Sequence, residues 1–427
     1  MWNNGPASHR PSRNGMETMN KPIETDGASP AASFAQMAAR VEAILPAIDA
    51  NAEDSERLNR LSDATFDLLR GAGLYSMLMP RELGGAELTH VDAMRLGERV
   101  AWAHGSAGWC VIVNNAVGGV LSLLVPDRGA REIFAGGAAT TVAGNGVPRG
   151  FARPVDGGYM IKGHWAYGSG IHHAQWIHSG CFVTDQDGKV VTGADGQPEI
   201  VVTHHPRATI ELKGNWDVLG LRATGSFDYT LKEGPELFVP AHCCYSFNES
   251  QAKRGGPQGS LGLVGYTAWG HTTWALGVGR RMLDELAGLA GKRVDAFGKM
   301  NESTTFKYEF ALAEARFRSA RAFAYQAWTS LAGTFVAGGE ASLEQIADIK
   351  LAMRHVHDVI SDVGTFAHRA ARGASLHNGV MQRFYRDIHS GTQHILMADE
   401  VVQECGRVYL KAVPAGARWG VFGVQNP

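Results

Sequence analysis

The stretch that decides the fold is residues 346–367, IADIKLAMRHVHDVISDVGTFA. Its apolar residues recur at steps of three and four, namely Ile346, Ile349, Met353, Val356, Ile360, Val363 and Ala367. Because an α-helix turns once in about 3.6 residues, this spacing places one continuous apolar stripe on a single helical face. The sequence therefore predicts a long helix that packs against other helices.

Helical spacing also marks the segments farther out along the chain. An earlier helix carries the same pattern at Trp269, Leu276, Leu283 and Leu286. Near the N-terminus, Ser62 is predicted to cap a helix whose apolar face is formed by Phe66, Leu68 and Leu69. Gly71 and Gly73 are predicted to end this helix. Thr89 is predicted to cap a second helix, and a third, buried helix is expected from about 106 to 124.

Between about 138 and 245 the period of the apolar residues changes to two. Residues 159–165 alternate after the turn Asp156-Gly157-Gly158, and residues 177–184, 200–204 and 229–239 are short and strand-like. Turn signals such as Asp187-Gly188 separate them. These features predict a middle β domain.

The order of helices, strands and helices predicts an α+β fold in three parts. We expect an N-terminal helical domain at 34–137, a middle β domain at 138–245 and a C-terminal helical bundle at 246–427. Residues 1–33 are rich in Asn, Ser, Pro and Gly without periodicity, which predicts a disordered leader.

Composition excludes several classes of function. The 427 residues carry 40 basic and 42 acidic side chains, scattered along the chain, so neither nucleic acid nor an acidic membrane surface is an expected partner. The longest apolar run, 109–125, contains Asn114 and Asn115 and is expected to be a core helix, not a membrane span. The five cysteines have no C-x-x-C spacing, which predicts no metal site and reduced thiols in a cytoplasmic protein.

Three phrases carry a resemblance to a known family. They are MPRELGG at 79–85, WDVLGLRATGS at 216–226 and FVP at 238–240. Together, and in this order of helices and strands, they resemble the acyl-CoA dehydrogenase superfamily. The resemblance covers residues 35 to 415 and implies an acyl-CoA dehydrogenase-like fold.

Two further phrases indicate the branch. Acyl-CoA dehydrogenases carry a carboxylate base in a Glu-Gly-Thr phrase, but residues 385–394 read YRDIHSGTQH, with Ser390 where the glutamate would stand. A serine has too high a pKa to serve as a base without a helper. Residues 165–176, WAYGSGIHHAQW, resemble the W-x-F-x-S-G-x-x-H-x-x-W phrase of the two-component flavin hydroxylases. This branch includes the p-hydroxyphenylacetate and seco-steroid phenol hydroxylases and dibenzothiophene monooxygenase.

The resemblance implies a reaction and its partners. It implies that reduced FMN or FAD reacts with O2 to give a C4a-(hydro)peroxyflavin, which oxygenates a small aromatic substrate. No G-x-G-x-x-G phrase opens a helix after a strand, so we expect a separate flavin reductase to supply the reduced flavin. The resemblance also implies a homotetramer built as a dimer of dimers.

The resemblance also implies roles for individual residues. The implied catalytic residues are Ser169, beside flavin N5, and His394, which is expected to share a helical face with Asp387. The implied flavin contacts are Trp165, Tyr167, Ser169, Gly170, Arg222, Ser226 and Asn145. The implied substrate contacts are Trp109, Asn114, Asn115 and His173.

Each assignment has a structural alternative. Taken alone, His394 is a hydrogen-bonded core histidine in an apolar helix, and Ser169 ends a strand beside a glycine turn. Asn145 and Trp109 are favoured as turn and packing residues, and Arg386-Asp387 as a structural ion pair. For the whole chain, the alternatives are an FAD-dependent acyl-CoA dehydrogenase or oxidase, and a non-catalytic flavin-binding scaffold.

Overall fold

The computed structural model describes residues 30–193, 196–249, 251–295 and 298–426. The predicted leader lies outside these residues up to position 29, and the first helix begins at Pro30, earlier than the expected boundary after residue 33. The predicted domain divisions at 137/138 and 245/246 stay predictions.

Six helices form the first part of the described chain. They are α1 (Pro30–Ala50), α2 (Ala52–Leu58), α3 (Asp63–Gly71), α4 (His90–Ala103), α5 (Gly105–Leu124) and α6 (Asp127–Ile133). The Ser62 side chain accepts a hydrogen bond from Thr65 N, and the Thr89 side chain accepts one from Asp92 N. Both predicted caps are therefore confirmed, because capping depends on residues within one turn.

Helix α5 is the one described helix that is long and apolar enough to cross a bilayer. Its most apolar window is 89% buried inside the protein. It lies in the core, as the sequence predicts.

Eight strands form one sheet. They are β1 (Val142–Val155), β2 (Gly158–Gly168), β3 (Trp176–Val183), β4 (Ile200–Pro206), β5 (Ile210–Leu212), β6 (Phe227–Leu231), β7 (Leu237–Pro240) and β8 (Cys244–Ser246). The sheet has the order β5-β6-β2-β1-β3-β4-β8, and β7 also pairs with β2. Strands β1 and β3 run parallel, and the other pairs are antiparallel.

Two features of the sheet differ from the sequence prediction. Strand β1 was not expected, because Gly144, Gly146, Pro148 and Gly150 interrupt any alternation, and its pairing with β3 shifts register between Asn145 and Gly150. The single strand expected at 229–239 is wrong: it is divided into β6 and β7, because residues 232–236 include Gly234 and Pro235 and form a turn.

Trp165 fills the space that two of the glycines leave in the sheet. A Cβ atom at Gly150 or Gly163 would lie within 3.0 Å of its indole ring. The ring is fully buried, stacks on Tyr229 and donates from Nε1 to Gly180 O at 2.8 Å. Trp165 is thus held by the core of the sheet on every side.

The second helical part begins at α7 (Gly262–Lys292) and continues with α8 (Thr304–Val336), α9 (Leu343–Ala371), α10 (Val380–Gly391) and α11 (Asp399–Tyr409). Two short hairpins, β9 (Val294–Asp295) with β10 (Gly298–Lys299) and β11 (Arg418–Trp419) with β12 (Val424–Gln425), complete it. The stripe that predicts α9 is buried at every position except Ile346, which is half-buried. The long helix is confirmed.

Helix α7 packs directly on α4. A Cβ atom at Gly277 would lie 2.4 Å from the Glu98 carbonyl oxygen, and one at Gly97 would lie 2.5 Å from the Thr273 methyl group. Glycine at these positions lets the backbones of α4 and α7 approach closely. This close packing fixes the position of α7 relative to the N-terminal helices.

Candidate active site

Ser169, at the end of β2, belongs to a chain of four hydrogen-bonded side chains, three with hydroxyl groups and one with an indole ring. The Trp109 indole Nε1 donates to Ser169 Oγ at 3.2 Å, and Ser169 Oγ lies 2.7 Å from Ser226 Oγ. Ser226 Oγ lies 2.7 Å from Thr224 Oγ1, which donates to Leu221 O at 2.8 Å. The four side chains are therefore joined in one line of hydrogen bonds, which ends at the backbone carbonyl of Leu221.

The two ends of this chain fix the direction of each bond. Thr224 uses its only proton on Leu221 O, so Ser226 must donate to Thr224. Ser169 must then donate to Ser226, while it accepts from Trp109. Ser169 is left with a free lone pair and no proton, so it can accept a further hydrogen bond but cannot donate one.

The loop that carries Ser226 is held in an uncommon backbone conformation. Leu221 has φ 56° and Gly225 has φ 53°, on either side of the 3₁₀ turn Arg222–Thr224. Gly170 N donates to Thr224 O at 2.8 Å, which ties the loop to the end of β2. Asp387 Oδ1 accepts from Leu221 N at 2.6 Å, so a buried carboxyl group on α10 holds the strained residue.

Asp387 has a perturbed titration. Its side chain is fully buried and its Oδ2 has no hydrogen-bond partner. Burial raises the pKa of this carboxyl to about 7, against the opposing effect of the hydrogen bond from Leu221. Its neighbour Arg386 pairs with Glu56 at 2.8 Å and donates to Leu219 O at 2.9 Å. The expected Arg386–Asp387 ion pair is therefore replaced by two separate contacts.

Behind Trp109 lie three imidazole rings that come from three different segments. The His394 and His271 ring centroids are 4.2 Å apart, and the His271 and His357 centroids are 5.9 Å apart. Trp109 meets His271 and His394 at 5.1 Å and 5.8 Å, with both rings edge-on. The sequence prediction identified His394 alone, because no spacing along the chain links it to α7 or α9.

All three histidines are held neutral by burial. Burial, with a smaller effect of His357, lowers the pKa of His394 to about 4. Burial lowers the pKa of His357 to about 4 and that of His271 well below its usual range. Desolvation disfavours the imidazolium form, so each ring has one bare nitrogen at neutral pH.

The expectation that His394 shares a helical face with Asp387 is wrong. Helix α10 ends at Gly391, and His394 caps the following 3₁₀ turn Ile395–Met397, with Nδ1 accepting from Leu396 N at 3.3 Å. Asp387 faces Gly105 and Leu221, whereas His394 faces Trp109 and His271. A Cβ atom at Gly391 would lie 2.1 Å from the Trp274 ring, so the helix end is pressed against α7.

A small cavity lies on the other side of Ser169. Its volume is about 10 Å³, room for about one water molecule. It is lined by Leu61, Phe66, Tyr75, Cys110, Asn114, Thr141, Ala143, Ser169, Gly170 and His173. His173 stacks on Phe66 at 4.4 Å and contacts Asp63 at 2.9 Å and Arg60 at 3.2 Å, so it is a wall of this cavity and not a solvent-facing turn residue.

The two asparagines of α5 have different environments. Asn115 donates both amide protons to Leu74 O and Val111 O and accepts from Leu78 N, so its side chain is committed to the backbone around it. Asn114 donates to Val142 O at 3.0 Å and also lines the small cavity. Of the two expected substrate contacts, the geometry favours only Asn114.

The residues expected to contact flavin also have different environments. Trp165 is enclosed in the sheet, and the Asn145 side chain bonds Ala166 O and Val147 N, as its turn alternative predicts. Tyr167 is 61% exposed with φ 66°, and its ring meets Trp216 edge-on at 6.0 Å. Arg222 has a buried Nε without a hydrogen-bond partner.

These observations fit a bound flavin. An exposed aromatic and apolar surface at Tyr167, Trp216 and Leu219 suits a flat ring system. The unpartnered guanidinium nitrogen of Arg222 suits an anionic or carbonyl group, and the free lone pair of Ser169 suits an N–H donor. The residues that would hold the cofactor are thus Tyr167, Ser169, Gly170, Arg222 and Ser226.

Two other features lie apart from this cluster. A cavity of about 870 Å³ is bounded by the end of α5, residues 245–249, the start of α9 and residues 417–425, and it includes none of the residues around Ser169. The fold also brings ligand atoms of Glu132, His242 and Cys243 within 4.8 Å of one another, a grouping that no cysteine spacing indicates. His242 Nε2 lies 2.8 Å from the Glu132 carboxylate, so this pair has a partner without any metal.

Comparison with known proteins agrees with this geometry. The family described as "Acyl-CoA dehydrogenase, C-terminal domain" matches residues 269–399. Indole-3-acetate monooxygenase of Acinetobacter baumannii is 27% identical over 358 residues, 83% of this chain and 89% of the relative. The oxygenase subunit HsaA of a flavin-dependent monooxygenase from Rhodococcus jostii is 27% identical, over 83% of this chain and 93% of the relative.

A solved structure shows the same fold over nearly the whole chain. XiaF from Streptomyces, in complex with FADH2 and glycerol, superposes with a TM-score of 0.82 at 21% identity, covering 90% of this chain and 98% of that one. The fold and the matched C-terminal family agree with the phrases at 79–85, 165–176 and 216–226. Through its matched C-terminal domain the chain is similar to the acyl-CoA dehydrogenases, and over most of its length it is similar to flavin-dependent monooxygenases.

Proposed function

We propose that the protein is the oxygenase component of a two-component flavin-dependent monooxygenase that acts on a small aromatic substrate. The observation that carries this proposal is the convergence of Ser169 and His394 on Trp109 from two sides. The reaction is R–H + O2 + reduced flavin → R–OH + H2O + oxidised flavin. The flavin supplies both electrons and the oxygen chemistry when bound, and the protein supplies position, dryness and proton control.

Ser169 is suited to bind the reduced form of the cofactor. Reduced flavin carries a hydrogen at N5, whereas oxidised flavin has a bare nitrogen there. Because Ser169 has only a lone pair to offer, it would accept from the N–H of the reduced form and would gain no bond from the oxidised form. This preference suits an enzyme that receives reduced flavin and releases oxidised flavin.

The aromatic substrate class is supported by the walls of the site and by the relatives. Trp109 and Phe66 offer ring surfaces on the two sides of Ser169, and Asn114 and His173 offer hydrogen bonds in the small cavity. The name indole-3-acetate monooxygenase indicates an aromatic substrate for that relative. The cavity holds about one water, so we expect the site to widen when substrate binds.

We also propose a reductase partner, a homotetramer and a cytoplasmic location. No strand in the described residues leads through a glycine-rich turn into a helix of a βαβ unit, so a dinucleotide site is not part of the described fold. Helix α8 exposes Tyr308, Leu312 and Val336, apolar side chains that a contact between copies would cover. Light scattering that shows a monomer would contradict the tetramer.

The test is to supply reduced flavin directly. Protein mixed anaerobically with reduced FMN or FAD is exposed to ¹⁸O2 with phenols, indoles or thiophenes, and both product and hydrogen peroxide are measured. We expect one labelled oxygen atom in the product, and no turnover with NADH until a flavin reductase is added. A yellow protein that bleaches with an acyl-CoA and leaves every aromatic unchanged would instead show a dehydrogenase.

A further inference from the structure

A glutamate, a histidine and a cysteine meet where α6 lies against the turn between β7 and β8. The ligand atoms of Glu132, His242 and Cys243 all lie within 4.8 Å of one another, and His242 Nε2 is 2.8 Å from Glu132 Oε2. The Glu132 and His242 side chains are 48% and 17% exposed, whereas Cys243 is 1% exposed. The group therefore opens to solvent on its carboxylate side, and its thiol is buried.

The backbone that carries this group is held from two sides. A Cβ atom at Gly129 would overlap the carbonyl oxygen of His242, so α6 lies directly on the 3₁₀ turn Ala241–Cys243. The carbonyl of the last residue of this turn accepts from His204 Nδ1 at 2.9 Å, which attaches the turn to the sheet. Because Glu132 follows Gly129 by three residues, the two lie on the same face of α6. The side chains are thus brought together by rigid elements.

The charges of the group favour a divalent cation. Burial, with a smaller effect of the Glu132 charge, raises the pKa of the Cys243 thiol to about 12, and Arg128 opposes this only weakly. A thiolate beside a carboxylate becomes favourable when a metal ion binds both. A divalent ion bound by one carboxylate, one thiolate and one neutral imidazole would form a group without net charge.

We propose that Glu132, His242 and Cys243 form a Zn²⁺ site that joins α6 to the sheet. Zn²⁺ takes carboxylate oxygen, imidazole nitrogen and thiolate sulfur as ligands, and a water molecule would complete four-fold coordination. Mg²⁺ and Ca²⁺ are excluded, because they take oxygen ligands. The spacing of cysteines along the chain could not indicate this site, because only one of its ligands is a cysteine. The proposal is independent of the proposed function, since it involves neither flavin nor substrate.

Binding requires a small movement and the release of one proton. Two ligand atoms about 2.1 Å from one tetrahedral zinc are about 3.3 Å apart, so His242 Nε2 and Glu132 Oε2 must separate by about 0.5 Å. The half-exposed Glu132 side chain has room for this change. Zn²⁺ then replaces the thiol proton of Cys243, which goes to solvent, and the proton of a neutral His242 ring moves from Nε2 to Nδ1.

The first test measures zinc binding by the full chain, without an affinity tag and without flavin. Protein stripped of metal is titrated with Zn²⁺ against a chromophoric chelator, which competes successfully with isolated surface histidines. We expect one tightly bound Zn²⁺ per chain. Affinity should fall at least about 100-fold in Cys243→Ser and about tenfold in Glu132→Gln, because a ligand matters at least as much as the residues that support it. Failure of the wild type to compete with the chelator would overturn the proposal.

Cys244→Ser is the matched control. Cys244 is the adjacent residue and is also buried, but its thiol donates to Pro240 O at 3.4 Å and is not part of the group. This variant should bind Zn²⁺ as the wild type does. Equal loss in Cys243→Ser and Cys244→Ser would show general damage to the turn and would overturn the assignment of Cys243. If Cys243→Ser does not fold, Glu132→Gln decides, because its side chain reaches the surface; unchanged affinity there would be contrary to the proposal.

Cobalt identifies the ligands directly. Co²⁺ can occupy four-coordinate zinc sites, and it gives an ultraviolet charge-transfer band when a thiolate is bound to it. We expect this band in the wild type and in Cys244→Ser, and we expect Zn²⁺ to abolish it by displacing the cobalt. Cys243→Ser should lack the band. A wild-type cobalt complex without a thiolate band would place the metal elsewhere on the protein and would refute the site.

Discussion

Ser169 Oγ and Ser226 Oγ lie 2.7 Å apart, and the direction of this bond is set at Thr224, the next hydroxyl group after Ser226 in the hydrogen-bond chain. The chain makes Ser169 an acceptor toward the cofactor before any cofactor arrives. Because this acceptor is in place before the cofactor binds, the protein does not have to reorganise its hydrogen bonds during the reaction.

This directed chain predicts the effect of changing Thr224. Thr224→Val removes the last donor without changing the shape, so Ser226 can reverse and Ser169 loses its fixed direction. We expect reduced flavin to bind about fivefold more weakly, which corresponds to about 1 kcal/mol for one hydrogen bond. Thr224→Ser keeps the donor and should bind as the wild type does. Equal affinities of the two variants by anaerobic titration would contradict the directed chain.

The carboxyl group of Asp387 predicts a pH dependence of stability. Burial raises its pKa to about 7 in the folded protein, above the ordinary value of 3.8, so the folded state holds a proton that the unfolded state has lost. Its contribution to the free energy of unfolding is complete below about pH 4 and is lost as the pH rises to about 7. Asp387→Asn keeps an acceptor for Leu221 N and removes this titration.

We therefore expect Asp387→Asn to gain stability relative to the wild type as the pH is raised from 5.5 to 8. Urea unfolding at several pH values measures the difference. A difference that stays constant, or that narrows toward pH 8, would show that the carboxyl is ionised in the folded protein throughout.

Eight histidines, seven of them buried and His394 half-buried, predict the opposite slope for the whole protein. Burial lowers the pKa of each in the folded state, so the unfolded state binds more protons below about pH 6.5; they are His90, His104, His178, His204, His205, His271, His357 and His394. A histidine that stays neutral to pH 5 costs roughly 2 kcal/mol there. The opposite effect of Asp387 offsets little of this loss of stability, because it comes from a single group.

We expect the protein to lose most of its stability between pH 6.5 and 5, because the sum is comparable to the roughly 5–15 kcal/mol of a whole fold. Circular dichroism and urea midpoints at pH 7.5, 6.5 and 5.5 test this. A midpoint that does not move over this range would mean that these histidines are protonated in the folded protein.

The sequence predicts the local parts of this fold and misses those that depend on distant pairing. The Ser62 and Thr89 caps and the α9 stripe follow from residues within a few turns of each other. Strand β1 has no such pattern, since its glycines exist to admit Trp165 and His178 from neighbouring strands. Its identity is set by what packs against it.

The same distinction applies to the candidate site. Ser169, Ser226 and His394 stand in recognisable phrases, so resemblance could find them. His271 and His357 stand in ordinary amphipathic helices, where a histidine beside an apolar stripe gives no signal. Only the packing of α7 and α9 on the segment after α10 brings their rings to His394.

The end of α10 offers a test of how tightly that packing positions His394. At Gly391 a Cβ atom would lie 2.1 Å from the Trp274 ring, which is itself fixed by a bond from Nε1 to Gly105 O at 3.0 Å. Gly391→Ala should therefore destabilise the protein by about 1–3 kcal/mol through overpacking. Because His394 follows three residues later, the product formed per reduced flavin should fall as well.

Gly406→Ala is the matched control, since Gly406 lies within α11 and has open space around it. Alanine there should stabilise the protein by roughly 0.5–1 kcal/mol, because it lowers the entropy of the unfolded chain and favours the helix. Urea unfolding of both variants measures the two changes. If Gly391→Ala were as stable as Gly406→Ala, Trp274 would be free to move, and the close fit that sets the position of His394 would not exist.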